Sequence, residues 1–238
     1  MVEVVRTVET PSVPHPAKYN DALIPIFARV LAEYGVQSVL DPMAGVGKIG
    51  KLREYGFLGQ IVANEIEPEW AEQISISYPY VEVHVGDAAH MDWAADGEFE
   101  SIVVSPTYGN RMADHHEARD GSRRYTYRHT LGRPLHPANT GQLQWGEAYR
   151  KAHRRIWAEC VRVLAPGGVF VLNVKDHIRR GRVMRVSEWH AEALQALGLV
   201  LVQRIQVPLM GMRNGENGHL RVGHEDVWVL QKPHGGRW

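Results

Sequence analysis

Three short apolar runs end in carboxylates that could bind one small molecule between them. Residues 39–47 read VLDPMAGVG, so the first run ends at Asp41 and turns through two glycines. The next two runs end at Glu65 and Asp87. Glycine lets another molecule approach the backbone, and in nucleotide sites an acid roughly 20 residues beyond such a loop accepts the ribose hydroxyls. Taken singly, each acid could instead cap the helix that follows it.

A fourth run ends in a different motif, with the sequence VVSPTYGNR at residues 103–111. This order of serine, proline and tyrosine resembles a motif, described below, of enzymes that act on planar amino groups. The lone pair of such an amine is delocalised, and the amine is a poor nucleophile until hydrogen-bond acceptors orient its protons. The alternative is an ordinary turn at the end of a strand, with the tyrosine packed beneath it.

The elements that must position these motifs alternate along the chain. Strands are predicted at residues 38–41, 61–65, 81–86, 101–105, 168–174, 199–207 and 226–231. Helices are predicted at residues 21–34, 47–55, 67–77, 147–164 and 187–197. This pattern predicts an α/β fold with a Rossmann-like, mostly parallel, seven-stranded sheet covered by helices on both faces. The carboxyl edge of such a sheet would gather the acids and the glycine turn.

Length and composition limit the other possibilities. We expect the 238 residues to form a single domain, with residues 109–146 as an inserted, substrate-facing loop region. The formal charge is zero, which argues against nucleic-acid binding by bulk attraction alone. No apolar run approaches the roughly 20 residues of a membrane span. The charged start of the chain lacks the apolar core of a secretory signal, and Cys160 is the only cysteine, so we expect a cytoplasmic protein.

The order of these motifs resembles that of the class I S-adenosylmethionine-dependent methyltransferases. The resemblance implies that the glycine loop contacts the methionine part of this cofactor, that Glu65 holds its ribose, and that Asp87 faces its adenine amine. Gly45, Gly47 and Gly50 also satisfy the dinucleotide-binding pattern, so the fourth motif decides between the two families. The implied cofactor-binding residues are Lys18, Tyr19, Asp41, Pro42, Ala44, Gly45, Gly47, Glu65, Asp87, Ala88 and Ser105.

The fourth motif is similar to the Ser/Asp/Asn-Pro-Pro-Tyr motif of DNA methyltransferases that modify N4 of cytosine or N6 of adenine. The resemblance implies that the Ser105 side chain and the Pro106 carbonyl orient the amine, while Tyr108 stacks on the base. The chain departs from the family at Thr107, where a second proline is usual, and this removes some rigidity from the turn. Residues 15–17, His-Pro-Ala, resemble the segment that precedes the cofactor motif in these enzymes.

The insertion mixes basic and aromatic residues, as nucleic-acid contacts do. Its predicted contact residues are Arg111, Arg123, Arg124, Tyr127 and Arg128. We therefore expect a DNA amino-methyltransferase that acts on a base turned out of the duplex. The alternatives are an RNA base N-methyltransferase, a loop that closes over a small substrate, and a catalytically silent cofactor-binding or nucleic-acid-binding module, which the loss of the second proline would favour.

Two further chemistries are not expected. No spacing of the histidines matches a closed zinc site, so we predict no metal. Methylation at C5 of cytosine needs a cysteine nucleophile, and Cys160 falls within a predicted helix away from the motifs. The sequence does not predict an oligomeric state.

Overall fold

A computed structural model of the chain describes residues 20–109, 126–179, 181–209 and 222–235. Its strands are β1 (Ser38–Asp41), β2 (Gln60–Glu65), β3 (Glu82–Val85), β4 (Phe99–Val104), β5 (Leu164–Val174), β6 (His177–Arg179), β7 (Arg182–Met184), β8 (Val200–Pro208) and β9 (His224–Gln231). Its α-helices are α1 (Ile24–Glu33), α2 (Pro68–Ser77), α3 (Tyr127–Leu131), α4 (Glu147–Val163) and α5 (Val186–Gln195). Three 3₁₀ helices span Asp21–Leu23, Lys48–Tyr55 and Thr140–Gln142.

Seven of the strands form one sheet in the order β3-β2-β1-β4-β5-β9-β8. The first five are parallel to one another, and β9 runs antiparallel to both β5 and β8. The predicted fold class, a Rossmann-like and mostly parallel seven-stranded sheet, is confirmed. Strand order reverses between β1 and β4, and in open α/β sheets ligands bind at the carboxyl ends of the strands at this reversal point.

Alternating side chains of the central strands bury the sheet on both faces. Leu40 and Ile102 belong to a core cluster that includes Trp157 of α4. The residues next to them in sequence point the other way, and Val39 belongs to a second cluster with Phe27 of α1. Because each central strand is apolar on both faces, it must lie between two layers of helix. The carboxyl ends of β1 and β4 are thereby fixed beside each other.

The structure adds elements that the sequence pattern did not predict. Residues 177–179 and 182–184 pair as the antiparallel strands β6 and β7, and the insertion contains α3 and the 3₁₀ helix Thr140–Gln142. Lys48–Tyr55, predicted only as a helix, is of the 3₁₀ type, and the Tyr78 ring occupies the space beside Gly50, where a Cβ would lie 2.5 Å from the ring. None of the helices in the described ranges combines the length and the apolarity needed to cross a membrane.

Candidate active site

A cavity of about 320 Å³ opens at the carboxyl edge of the sheet, at the reversal between β1 and β4. This volume lies in the usual range for small-molecule sites. One wall comes from residues 126–146, which we call the covering segment. The lining residues are Pro42, Met43, Ala44, Gly45, Val46, Lys48, Glu65, Ile66, Trp70, Gly86, Asp87, Ala88, Ser105, Pro106, Thr107, Tyr108, Tyr127, Ala138, Asn139, Thr140, Ile156 and Glu225.

The glycine loop after β1 is shaped by groups that lie behind the cavity wall. The buried Asp41 carboxylate accepts a hydrogen bond from the Met43 amide at 3.1 Å, which turns the chain at the strand end. Gly47 adopts a left-handed backbone conformation, with φ +72°, and backs onto Ile74 of α2. Asp41 and Gly47, both predicted to bind the cofactor, are therefore not in the lining. Three other residues predicted to bind the cofactor, Pro42, Ala44 and Gly45, do line the cavity.

Gly47→Ala should lower the free energy of unfolding by about 2–4 kcal/mol, as measured by urea denaturation. An added Cβ would meet the Ile74 side chain at 2.7 Å, and a left-handed backbone costs a residue with a side chain roughly 1–2 kcal/mol. Gly56→Ala is the matched control, because Gly56 has φ +84° but open space around the added Cβ. We expect that control to lose only about 1 kcal/mol. Equal losses in the two variants would refute the packing argument.

Glu65 is the acid at the end of β2, and it faces both the cavity and the glycine loop. Its Oε2 accepts from the Gly45 amide at 2.7 Å and its Oε1 from the Glu67 amide at 3.0 Å. Burial outweighs these two hydrogen bonds and raises the pKa of Glu65 to about 8. Asp87 and Ala88 also line the cavity, and the Asp87 carboxylate accepts from the Ala89 amide at 2.9 Å. The acids predicted to hold ribose and adenine thus share one cavity.

The other end of the cavity carries a cluster of hydrogen-bonding side chains. The hydroxyls of Ser105 and Tyr108 lie 3.0 Å apart. The Asn173 amide of β5 donates to Ser105 Oγ at 3.2 Å and approaches Glu225 Oε2 at 3.3 Å. Burial raises the pKa of Tyr108 above its usual range, and the negative charge of Glu225 adds to this effect, so the Tyr108 hydroxyl stays neutral. The three predicted catalytic residues, Ser105, Pro106 and Tyr108, all lie in the lining.

Side chains from elsewhere in the chain hold the turn at Thr107, the residue that was predicted to make this turn less rigid. The Thr107 hydroxyl is 2.8 Å from that of Thr140, and its carbonyl accepts from the Tyr149 hydroxyl. Tyr149 Oη lies 2.9 Å from His190 Nε2, and Trp157 Nε1 donates to His190 Nδ1 at 3.0 Å. The indole can only donate, and burial lowers the pKa of His190, so the imidazole is neutral with its proton on Nε2. The Nε2–H of His190 therefore donates a hydrogen bond to the Tyr149 oxygen, and the Tyr149 hydroxyl donates to the Thr107 carbonyl.

Carboxylates at the start of α2 tie the covering segment over the cavity. Arg133 Nε donates to Glu69 at 2.7 Å, and the same guanidinium lies 2.8 Å from Glu67. Glu67, which has no exposed surface, accepts from the His136 amide and from the Asn139 side chain, both at 2.8 Å. Charge-assisted hydrogen bonds of this kind are the strong ones. The covering segment is therefore attached to Glu67, which lies only two residues after Glu65 in the sequence.

The structure places Tyr127 differently from the predicted nucleic-acid contact. The Tyr127 side chain is 4% exposed, lines the cavity and packs edge-on against Trp70 with ring centroids 5.3 Å apart. Arg128 is the next residue of α3 and is exposed, because neighbouring positions on a helix face different directions. Of the other predicted binding residues, Lys18, Tyr19, Arg111, Arg123 and Arg124 lie outside the described residues.

Sequence reasoning missed several residues that line the cavity. Trp70, Asn139 and Thr140 reach it only through the fold, and no local pattern indicates them. Glu225 did have a signal, because it lies directly before the last predicted strand, residues 226–231. If that last strand is antiparallel, its first residues lie at the same edge as the ends of the parallel strands. Cys160 lies buried in α4 and is not part of the lining.

No protein-family model matches the chain, and no curated protein sequence matches it significantly. Solved structures do match. A protein from Galdieria sulphuraria, provisionally named a sarcosine dimethylglycine methyltransferase, is 13% identical with a TM-score of 0.59, and the match covers 93% of each chain. The [4+2]-cyclase SpnF is 12% identical with a TM-score of 0.57, over 93% of this chain and 86% of that one.

A third match is the 1,6-didemethyltoxoflavin-N1-methyltransferase of Burkholderia thailandensis, whose structure contains its substrate and S-adenosylhomocysteine. It is 19% identical with a TM-score of 0.52, over 90% of this chain and 80% of that one. Such low identities bear on the fold, and the presence of a cyclase among the matches means that the fold alone does not decide the reaction. The chain has the fold of the class I methyltransferases.

Proposed function

We propose that this protein transfers a methyl group from S-adenosylmethionine to an exocyclic amine of a nucleic-acid base, N4 of cytosine or N6 of adenine in DNA. The observation that carries the proposal is a single cavity with two chemically different ends. At one end are the glycine loop with Glu65 and Asp87, and at the other are Ser105, Pro106 and Tyr108. The first end suits a nucleoside and the second suits a planar amine.

The residues at the first end fit the proposed cofactor. The Glu65 carboxylate can accept both ribose hydroxyls, and Gly45 leaves room for close approach to the backbone. Trp70 and Tyr127 add apolar walls beside it. When bound there, S-adenosylmethionine supplies an electrophilic methyl group. The Burkholderia structure, which contains S-adenosylhomocysteine in the same fold, supports this choice.

At the second end, the residues orient the nucleophile. The Ser105 hydroxyl and the Pro106 carbonyl can accept the two protons of an amine, which leaves its lone pair directed into the cavity. Asn173 fixes the Ser105 hydroxyl from behind. The Tyr108 ring forms part of the wall against which a flat base can stack. The bonds to Thr140 and Tyr149 hold this turn in place of the missing proline.

The exposed basic surface of α4 supports a nucleic-acid substrate. Lys151, Arg154 and Arg155 are exposed on this helix, which follows the covering segment, and Arg128 is exposed on α3. Basic side chains in such positions can contact phosphates. RNA presents the same chemistry, and its unpaired bases need no flipping. A second candidate, a small-molecule N-methyltransferase, is favoured by the burial of Tyr127 inside the cavity, because a closed covering segment suits a small substrate.

Transfer of labelled methyl groups tests the proposal. Purified protein is incubated with labelled S-adenosylmethionine and unmethylated genomic DNA, total RNA, or a panel of small amines. The nucleic acids are then digested to nucleosides for analysis, and the small amines are analysed intact. We expect label in N4-methylcytosine or N6-methyladenine from DNA. Label only in RNA would move the substrate to RNA, and label only in small amines would support the second candidate. No transfer to any acceptor, despite binding of S-adenosylhomocysteine, would leave a silent cofactor-binding module.

Ser105→Ala should reduce kcat about 10- to 100-fold while the affinity for S-adenosylhomocysteine changes less than about twofold. A hydrogen bond to a group that gains charge contributes about 1.5–3 kcal/mol, and this bond orients the amine rather than the cofactor. Ser75→Ala is the matched control, because the Ser75 hydroxyl only donates to the Ala71 carbonyl within α2. Normal turnover in Ser105→Ala would remove this residue from the reaction.

A further inference from the structure

We propose that Glu225 receives the proton that the amine loses on methylation, and that the site therefore takes amines with N–H protons, primary amines best. This inference rests on the proposed function. No pattern in the sequence or likeness to other proteins assigns a role to Glu225. It differs from Ser105 and Pro106, which orient the amine, because a proton acceptor must be able to change its charge.

The sheet topology brings Glu225 to the reacting end of the cavity. Strand β9 is antiparallel to β5, and Asp226 pairs with Val174, the last residue of β5. Glu225 therefore lies just beyond the carboxyl end of β5. It lines the same cavity as Ser105 and Tyr108. The Asn173 amide connects them, with Nδ2 at 3.3 Å from Glu225 Oε2 and 3.2 Å from Ser105 Oγ.

The other ionisable groups in the described lining have different partners. Glu65 accepts from the glycine loop, Asp87 holds its own turn, and Lys48 bonds Asp21 at the outer side of the loop. Within the described part of the chain, Glu225 is the one carboxylate of the lining at the Ser105 end. The hydroxyls of Ser105 and Tyr108 are neutral and can orient a proton without carrying it away.

Transfer to an amine requires such an acceptor. The nitrogen lone pair forms the new N–C bond, and the electron pair of the broken C–S bond returns to sulfur. The nitrogen then bears a positive charge until one N–H proton leaves. That proton goes to the Glu225 carboxylate and later to water. Burial raises the pKa of Glu225 against the opposing effects of Asn173 and Lys175, which makes the carboxylate a stronger base.

This arrangement also predicts which amines react. A primary amine has two N–H protons, which the Ser105 hydroxyl and the Pro106 carbonyl accept, and one of these protons passes to Glu225 once the nitrogen is positively charged. After one methyl group has been added, only one N–H proton remains, so the amine would lose one orienting hydrogen bond in a second transfer. A tertiary amine has none. The expected product is therefore a monomethylated amine.

Two cofactor analogues test the charge of Glu225 without any methyl acceptor. Sinefungin carries an ammonium group where S-adenosylmethionine carries its methyl, whereas S-adenosylhomocysteine is neutral there. Calorimetry is done on the wild type, on Glu225→Gln, and on Glu192→Gln, which changes an exposed acid of α5. We expect Glu225→Gln to lower the affinity for sinefungin about 10-fold, because a charge-assisted interaction is lost. The affinity for S-adenosylhomocysteine should fall less than twofold. The control should match the wild type.

The outcomes separate this inference from the proposed function. If both analogues bind the wild type and Glu225→Gln leaves their affinity ratio unchanged, Glu225 does not face the reacting position and the inference is overturned, while the cofactor site stands. If neither analogue binds, the cofactor site fails and the inference falls with it. Binding of S-adenosylhomocysteine by Glu225→Gln also shows that the variant is folded. Glu225→Asp, which keeps the charge, should restore part of the preference for sinefungin.

Discussion

Replacing Glu65 with glutamine is expected to weaken S-adenosylmethionine binding about 10- to 100-fold and to remove its dependence on pH. In the free protein, burial raises the pKa of Glu65 to about 8, so the carboxyl is mostly protonated at pH 7. Two ribose hydroxyls donate best to the ionised form, and bonds to a charged group contribute about 1.5–3 kcal/mol each. Binding should therefore lower this pKa and release a proton.

The sign of the pH effect follows from that linkage. Affinity for the cofactor should rise from pH 6 to pH 8 and level off above the pKa of free Glu65, which is about 8. Calorimetry at pH 7 in buffers with different ionisation enthalpies measures the protons released. Glu72→Gln, on the exposed side of α2, is the control and should behave as the wild type. A flat pH profile in the wild type, together with normal binding by Glu65→Gln, would contradict the assignment of Glu65 to the ribose.

Tyr149→Phe is expected to reduce turnover at least 10-fold and to lower the free energy of unfolding by about 2–4 kcal/mol. The hydroxyl connects the Thr107 carbonyl to His190 Nε2, so its removal leaves one buried and one partly buried polar group without their partner. Each such group costs about 1–3 kcal/mol. Because Thr107 follows the proposed amine acceptor Pro106, a looser turn should reduce kcat. Binding of S-adenosylhomocysteine should change little, since the glycine loop and Glu65 are untouched.

Tyr80→Phe provides the matched control for this substitution. The Tyr80 hydroxyl donates to the Gly50 carbonyl at 3.0 Å, but the side chain is 46% exposed, so water can replace the lost bond. We expect a loss of less than about 1 kcal/mol and unchanged turnover. Urea denaturation and steady-state kinetics measure both quantities. A Tyr149→Phe variant as active as Tyr80→Phe would show that the turn at Thr107 does not need this hydrogen-bond chain.

Local patterns were sufficient to predict the fold and several of the residues that line one end of the cavity. The apolar strand β1, its terminal acid and the glycine turn are adjacent in sequence, and the parallel sheet then brings Glu65 and Asp87 to the same edge. Most helices and strands could be predicted too, because the periodicity that indicates them is also a property of neighbouring residues. The exception, Lys48–Tyr55, has glycines at and near its start that weaken an α-helix and permit close packing against Tyr78.

The remaining features depend on contacts between distant residues. Thr107 looked like a loss of rigidity because the side chains that replace the proline, Thr140 and Tyr149, come 33 and 42 residues later. The mixture of arginine and tyrosine around residue 127 predicted a surface, and only packing against Trp70 places Tyr127 inside. Composition cannot separate the two faces of a helix as short as α3.

The acids at the end of β2 and the start of α2 contact different parts of the site. Glu65 faces the cavity, whereas Glu67 holds Asn139 and Arg133 of the covering segment. The Glu65 carboxylate accepts from the Glu67 amide at 3.0 Å, so the two sites share one piece of backbone. Coupling between binding sites is reciprocal by thermodynamic necessity. We therefore expect a ligand that contacts Glu65 to protect the covering segment from proteases, and a cut in that segment to weaken the binding of the ligand.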